Sequence, residues 1–202
     1  MAIADRKERE FKRREEDILQ AAFDLFAEHG IESVTIEMIA EKAEVGKGTI
    51  YKHFTSKNDI FAVLIIRQGH ELFDLWNSIP TDVPVLVQMK MTMRAFWDMQ
   101  INDIRKFAVY RKCDQLLLMD DMPPEVLLKF SQQSNGKTEY IRKLIKKAVD
   151  EQIFKDASVD NFSAVVIGLF QGVLDLVLSG EIKPSEELYQ LVENMVFKGF
   201  MR

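Results

Sequence analysis

Apolar residues recur every three or four positions along almost the whole chain, which is the spacing of amphipathic α-helices. No run alternates apolar and polar residues between turn residues, as a half-buried β-strand does. The pattern therefore predicts an all-α fold, in which an amino-terminal head of three helices is joined to a larger helical body.

Turn-forming residues divide this pattern into nine helices. Asn135 with Gly136 could break or kink the seventh of them. The predicted helices cover about residues 9–29, 35–43, 47–54, 57–77, 85–100, 103–118, 125–152, 159–178 and 185–200.

Capping residues fix several of these helix ends. Gly30 can close the first helix in a left-handed conformation, and Thr35 is a suitable N-cap for the second. Ser56 and Asp59 have the spacing of a capping box for the fourth helix.

Composition excludes several classes of protein. Of the 202 residues, 47% are hydrophobic and 29% are charged, which is ordinary for a globular protein. The start of the chain has no apolar run, and the uncharged stretch 161–174 is too short to cross a bilayer. A single cysteine, Cys113, rules out an internal disulfide framework. We expect a cytoplasmic protein that is not bound to a membrane.

Positive charge is concentrated in one short segment. The formal net charge of −5 would by itself argue against binding to nucleic acid. Between residues 45 and 58, however, Lys47, Lys52, His53 and Lys57 occur without any acidic residue. This local charge is the kind that binds phosphate.

The same segment has the pattern of a helix-turn-helix. A short helix, a three-residue turn at 44–46 and a second short helix can place a recognition helix in the major groove. Lys47, Gly48 and Thr49 open that helix, where free backbone N–H groups favour phosphate and small side chains permit approach to base edges. Tyr51 and Lys52 point away from its apolar side.

The head resembles that of the TetR family of transcription regulators over about residues 18–64. The matching runs are Thr35-Ile36-Glu37-Met38-Ile39-Ala40, Ala43-Glu44-Val45-Gly46-Lys47-Gly48-Thr49-Ile50-Tyr51-Lys52-His53-Phe54 and Ser56-Lys57. The resemblance implies that Thr35, Tyr51, His53 and Lys57 contact phosphates. It also implies that Lys47, Gly48 and Thr49 read bases, with Lys52 nearby.

The resemblance further implies how the whole chain works. We expect a homodimer that binds a pseudo-palindromic DNA operator, usually as a repressor, until a small, mainly apolar ligand changes the spacing of the heads. Residues 1–56 would be the DNA-binding domain and residues 57–202 the ligand-binding and dimerisation domain, connected by helix 57–77. We expect no cofactor and no bound metal.

Two residues in the turn depart from the family's usual pattern. Glu44 stands where glycine is common, so a left-handed conformation there would cost on the order of 1 kcal/mol. Gly46 stands where serine or alanine is frequent, so the third helix lacks a capping hydroxyl. Both affect where the recognition helix begins.

The basic run 6–14 has two interpretations. It contains six positive residues and two acids, and its i,i+4 pairs suit a solvated extension of the first helix. The alternative is an arm that reaches the DNA backbone.

Methionine and aromatic residues in the body indicate a ligand pocket, although their helical spacing also suits an ordinary core. Asp175 lies among apolar neighbours, where it could recognise a cation or simply reach the surface. The pocket candidates are Met89, Met93, Phe96, Trp97, Phe107, Tyr110, Cys113, Met122 and Asp175.

The last two helices are unusually apolar, which indicates a four-helix dimer interface or, alternatively, a larger core within one chain. Gly168 and Gly172, four residues apart, would allow two helices to approach closely. The interface candidates are Phe162, Val166, Leu169, Phe170, Val173, Leu188, Leu191 and Met195.

Two other classes of function remain open at this point. The three histidines are spread over three helices, without a metal-ligand cluster or a phosphate-binding glycine loop, which disfavours an enzyme. The other alternative is a helical ligand-binding or scaffold protein whose head no longer binds DNA. In that case, Glu44 and Gly46 in the turn would be the residues that abolish DNA binding.

Overall fold

A computed structural model describes residues 2–117, 124–155 and 158–201. Over these residues the chain forms nine helices and no β-strand beyond a single bridge between Phe154 and Met201, which confirms the all-α fold. The helices are α1 (Ala2–His29), α2 (Ile36–Lys42), α3 (Lys47–His53), α4 (Lys57–Asn77), α5 (Val85–Ile101), α6 (Ile104–Leu117), α7 (Pro124–Asp150), α8 (Val159–Leu178) and α9 (Glu186–Phe200).

Helix α1 begins well before the predicted start at Arg9. Its first turns carry no apolar stripe, so hydrophobic periodicity could not detect them. They are supported instead by ion pairs one turn apart, Arg6 with Glu10 and Glu8 with Lys12.

The predicted caps are present. Gly30 has a φ of +75°, and the Thr35 Oγ1 accepts a hydrogen bond from the Met38 N–H at 3.3 Å. The Ser56 Oγ accepts from the Asp59 N–H at 3.2 Å, while the Asp59 carboxylate accepts from the backbone N–H of Thr55 at 2.7 Å. These local bonds fix where α2 and α4 begin.

The expected break in α7 does not occur. The helix runs continuously through Asn135 and Gly136, and the ring of Phe73 lies against the glycine. A Cβ atom at position 136 would be 2.9 Å from the Phe73 Cζ. Gly136 therefore permits close packing of an aromatic ring and does not end the helix.

The chain divides into two compact units, residues 1–68 with 105–130, and residues 69–104 with 131–202. In the first unit, one core joins α1 to α4, and α6 packs against it through Val109, Tyr110 and Cys113. The core residues from the helix-turn-helix are Ile39, Ala40, Ile50 and Phe54.

The second unit has an aromatic and aliphatic interior. Trp76 stacks on Tyr140 with ring centroids 4.7 Å apart, and Phe96 meets Phe170 edge-on at 5.9 Å. The buried face of α5 adds Val85, Met89, Met93 and Trp97.

Candidate DNA-binding site

The turn between α2 and α3 is held by backbone hydrogen bonds. The Glu44 N–H donates to the Glu41 carbonyl at 3.1 Å, and the Val45 N–H donates to the Ala40 carbonyl at 2.9 Å. Glu44 has a φ of +52°, so it adopts the left-handed conformation that its position required, at a cost of about 1 kcal/mol. Gly46 is the N-cap of α3, without a side-chain hydrogen bond. The recognition helix therefore begins at Lys47.

One side of α3 is buried and the other is open. Ile50 is fully buried and Phe54, which ends the helix, packs in the same core. On the outer side, Tyr51 is 51% exposed, and Lys47 and Lys52 are also exposed. The predicted base-reading surface is thus presented to solvent.

Lys47 is paired with an acidic residue that no local sequence pattern connects with it. Its Nζ contacts the Oε1 of Glu37, in the first turn of α2. Their mutual hydrogen bond lowers the pKa of the Glu37 carboxyl and raises that of the Lys47 ammonium. An acid therefore lies at the start of the recognition helix, among residues expected to face DNA.

Thr35 and Tyr51 remain open to a phosphate. Thr35 is exposed, and its hydroxyl accepts the capping hydrogen bond, while its own proton is within reach of the Glu37 carboxylate as well as of solvent. The exposed Tyr51 hydroxyl can donate in the same way.

His53 is not open to a phosphate in this structure. Its side chain is only 3% exposed, and its ring stacks under Phe11 of α1 with centroids 3.9 Å apart. The His53 Nδ1 is 3.9 Å from the Glu15 Oε2, so the ring faces α1. The expected phosphate contact by His53 does not fit this geometry, because Phe11 and Glu15 of α1 lie against its ring.

Lys57 is engaged within the protein. Its Nζ donates to the carbonyls of Ile31 at 2.8 Å and Val34 at 3.0 Å. An ammonium has three N–H donors, so one remains for a phosphate. The sequence could not indicate this bond, which joins residues more than twenty positions apart.

The ligand-pocket candidates fall into both units. Tyr110 and Cys113 belong to the core of the first unit, where Tyr110 lies 6.0 Å from the ring of Phe23. Phe107 is also buried, on the same helix, α6. Tyr110 and Cys113 thus agree with the alternative interpretation, an ordinary core, because the side chains around them are core residues of the head.

The other candidates belong to the second unit, apart from Met122, which lies outside the described residues. Met89, Met93 and Trp97 are buried there, and Phe96 packs at the edge of the cluster around Trp76. Asp175 is partly exposed on α8. These residues offer an interior that is mainly apolar.

A groove on the second unit has different chemistry. It has a volume of about 800 Å³ and lies between the end of α4, α5 and α9. Arg94 donates to Asp98 at 2.9 Å and to Glu186 at 2.6 Å, and its guanidinium lies 4.8 Å from the ring centre of Tyr189. Because its charges are mutually paired and none of the predicted ligand residues lines it, this groove does not correspond to the expected apolar site.

Some of the predicted dimer-interface residues are buried within the chain, and others are exposed. Phe162, Val166 and Phe170 lie inside the second unit, so the prediction that they form an interface is wrong for this arrangement of α8. Leu191 and Met195 are 57% and 56% exposed. Leu169, Val173 and Leu188 are partly exposed.

The open side of α8 carries residues adjacent to the predicted set, namely Val165, Gly168, Gly172 and Leu176. Of the helices in the described part of the chain, α8 alone is long and apolar enough to cross a membrane by length and composition. Core helices of proteins without membrane segments satisfy the same criterion.

An exposed recognition helix, preceded by a tight turn and supported by a three-helix core, defines a DNA-binding regulator of the helix-turn-helix class. Residues 18–64 match the family model described as "Bacterial regulatory proteins, tetR family". Over these residues the chain has the DNA-binding head of the TetR family of transcription regulators.

Individual relatives agree with this assignment. The HTH-type transcriptional regulator SrpR of Pseudomonas putida is 20% identical over 177 residues, which cover 87% of this chain and 78% of that protein. The HTH-type transcriptional repressor Rv3405c of Mycobacterium tuberculosis is 37% identical, but over 33% of this chain and 36% of its own length. The transcriptional regulator FadR of Bacillus subtilis, solved with stearoyl-CoA, has a TM-score of 0.75 at 18% identity, over 91% of this chain and 97% of that one. The last comparison extends the shared fold into the second unit.

Proposed function

We propose that the chain is a ligand-responsive repressor that binds a pseudo-palindromic operator as a homodimer and is released by a small, mainly apolar ligand. The observation that carries the proposal is the exposed side of α3, with Lys47, Tyr51 and Lys52 in solvent while Ile50 is fully buried. A helix fixed on one side and polar on the other suits the major groove.

Roles at the DNA follow from the side chains that are accessible. Thr35, Tyr51 and the remaining N–H of Lys57 contact phosphates. Lys47, Gly48 and Thr49 read base edges, with Lys52 beside them. His53 stabilises the end of α3 by stacking on Phe11 of α1.

A second head comes from a second copy of the chain. Leu191, Met195 and Val165 expose more than half of their surface, which is costly in water and typical of a protein interface. Because one small head makes few contacts, pairing two heads on two half-sites supplies the affinity for an operator.

The effector site belongs to the interior of the second unit. Met89, Met93 and Trp97 give it an apolar lining with adaptable methionines. The FadR structure of similar fold was solved with stearoyl-CoA, so acyl-CoA thioesters are the first effectors to test. Release requires that the effector bind the DNA-incompetent arrangement more tightly than the DNA-bound one.

The test begins with selection of an operator from a random duplex library, followed by titration with the wild type, Tyr51→Ala and Tyr51→Phe. Each missing phosphate hydrogen bond costs about 1 kcal/mol, so both variants should bind a dimeric site about thirtyfold more weakly. Melting temperatures should stay unchanged because Tyr51 is half exposed. If no duplex is enriched, the proposed function is wrong.

An acyl-CoA series of increasing chain length, added to the protein–operator complex, tests the effector. Release that strengthens with chain length supports an apolar pocket. If no acyl-CoA releases the operator, this choice of effector is wrong while the DNA-binding proposal stands.

A further inference from the structure

Before its first core residue, Ile18, α1 has four turns that extend away from the core of the head. From residue 5 to residue 17, every side chain is exposed except Glu15, which is partly so. We name residues 5–16 the basic arm. An exposed helix of this length, outside any core, has a surface available to a partner.

The basic arm is attached to the end of the recognition helix. Phe11 stacks on His53, the last residue of α3, at 3.9 Å and 28° between the ring planes. One turn further on, Arg67 of α4 donates to both Glu16 oxygens and lies 3.5 Å from Glu15. The arm therefore has a fixed place beside α3.

Positive charge on the arm is not fully neutralised by its own acids. Arg6 pairs with Glu10 at 3.3 Å and Lys12 pairs with Glu8 at 3.0 Å. Within the part of the chain that the structure describes, no acid pairs with the exposed cations Lys7, Arg13 and Arg14.

Two of these cations share a side of the helix with Phe11. Lys7 lies four residues before Phe11 and Arg14 three residues after it, so all three occupy one face. A rise of 1.5 Å per residue places them about 6 Å and about 4.5 Å from Phe11 along the axis. Arg6 and Arg13 lie on the opposite face.

We propose that the basic arm is a second DNA-contacting surface, in which Lys7 and Arg14 bind phosphates beside the recognition helix and the Phe11–His53 stack holds the arm in position. The inference rests on the proposed function, since it assumes that α3 enters the major groove. The groove is about 12 Å wide and a helix with its side chains is nearly as wide, so an element against the end of α3 meets the phosphate backbone at the groove wall.

The experiment compares two double variants of the full-length protein on the selected operator. Lys7→Ala with Arg14→Ala removes two charges from the Phe11 side. Arg6→Ala with Arg13→Ala is the matched control, because it removes two charges at the same spacing from the opposite face. Fluorescence anisotropy is measured from 50 to 300 mM KCl, and circular dichroism checks that helical content is equal.

In a plot of log affinity against log salt concentration, the Lys7→Ala, Arg14→Ala variant should have a less negative slope than wild type. The slope should change by about 0.9 for each phosphate that is no longer bound, or about 1.8 per head. The variant's preference for the operator over random duplex should be unchanged, because phosphate contacts carry no sequence information. The control should leave the salt slope within about 0.5 of wild type.

Phe11→Ala is a third variant that retains every charge. It should reproduce part of the loss in affinity, because the arm is no longer fixed to α3. If the two double variants have equal salt slopes, or if neither differs from wild type, the proposal for the arm is overturned. The proposed function would still stand in that case, provided that the wild type binds the operator. A wild type that binds no duplex would overturn both.

Discussion

At the residue scale, the helix-turn-helix depends on short-range contacts at its turn and on long-range contacts that support α3 and α4. Thr35, Glu44 and Gly46 adopt the conformations expected for a cap, a left-handed turn residue and a cap without a side chain. Each depends on neighbours within a few positions. His53 and Lys57 have partners in other helices or loops, so their sequence context could not show that the fold occupies them.

Glu37 is part of the site, although no local sequence pattern indicates it. It was apparent only as an acid in the first turn of α2, where it suits the helix dipole. Its partner Lys47 is ten positions away, and the turn between α2 and α3 brings the two side chains together. In the proposed complex, Glu37 would therefore compete with DNA for the charge of Lys47.

Replacing Glu37 with glutamine should raise affinity for random duplex, because Lys47 becomes available to phosphate and one negative charge is removed. The salt slope should steepen by about 0.9 per head, and the preference for the operator should fall. Anisotropy titrations on operator and random duplexes measure both effects. Glu41→Gln, an exposed site on the same helix, is the control and should change affinity much less. Identical behaviour of the two variants would show that the ion pair does not limit Lys47.

At the element scale, helix positions follow from periodicity and caps, whereas the orientation of an apolar helix does not. Helix α2 begins after its Thr35 cap as expected, because few residues satisfy that role. Helix α8 is apolar on nearly all sides, so sequence could not decide which stripe faces its own core. The structure places Phe162, Val166 and Phe170 inside and leaves the neighbouring stripe with Val165 outside.

A carboxylate on the open side of α9 should therefore break the proposed dimer. Met195→Glu would place one carboxylate per chain in the interface, at about 1.5 kcal/mol or more each, which weakens dimerisation on the order of a hundredfold. Sedimentation velocity over a concentration series measures the change. Gln190→Glu adds the same charge to α9 at an exposed position facing the groove beside Arg94, and it should leave the dimer intact. A dimer equally stable in both variants would place the interface elsewhere.

At the scale of the whole molecule, the order of the chain is not the order of its compact units. A boundary after residue 56 remains our prediction for the DNA-binding domain, yet α6 packs with the head although more than 25 residues separate it from α4. Tyr110 and Cys113 suggest a pocket in the sequence because they lie in the part predicted to be the body. Their packing in the first unit requires α6 to return to the core of α1 to α4, and hydrophobic periodicity does not indicate which helices contact each other.

Net charge is also a poor guide to the behaviour of the whole protein. A formal charge of −5 predicts repulsion from DNA, whereas Lys47, Lys52 and Lys57 concentrate positive charge on each head. With about six such contacts in a dimer, raising KCl from about 50 to about 200 mM should weaken operator binding about a thousandfold. A titration at four salt concentrations measures this, and affinity that hardly depends on salt would contradict the proposed contacts.

The bond from Lys57 to the loop between α1 and α2 has a mechanical consequence. Its ammonium holds the carbonyls of Ile31 and Val34, and Thr35, the cap of α2, is the next residue. The Lys57 side chain therefore connects the first turn of α4 directly to the start of α2. A displacement of that turn would move Thr35 as well, so the phosphate contact that we propose for Thr35 and the support of the helix-turn-helix would be lost together.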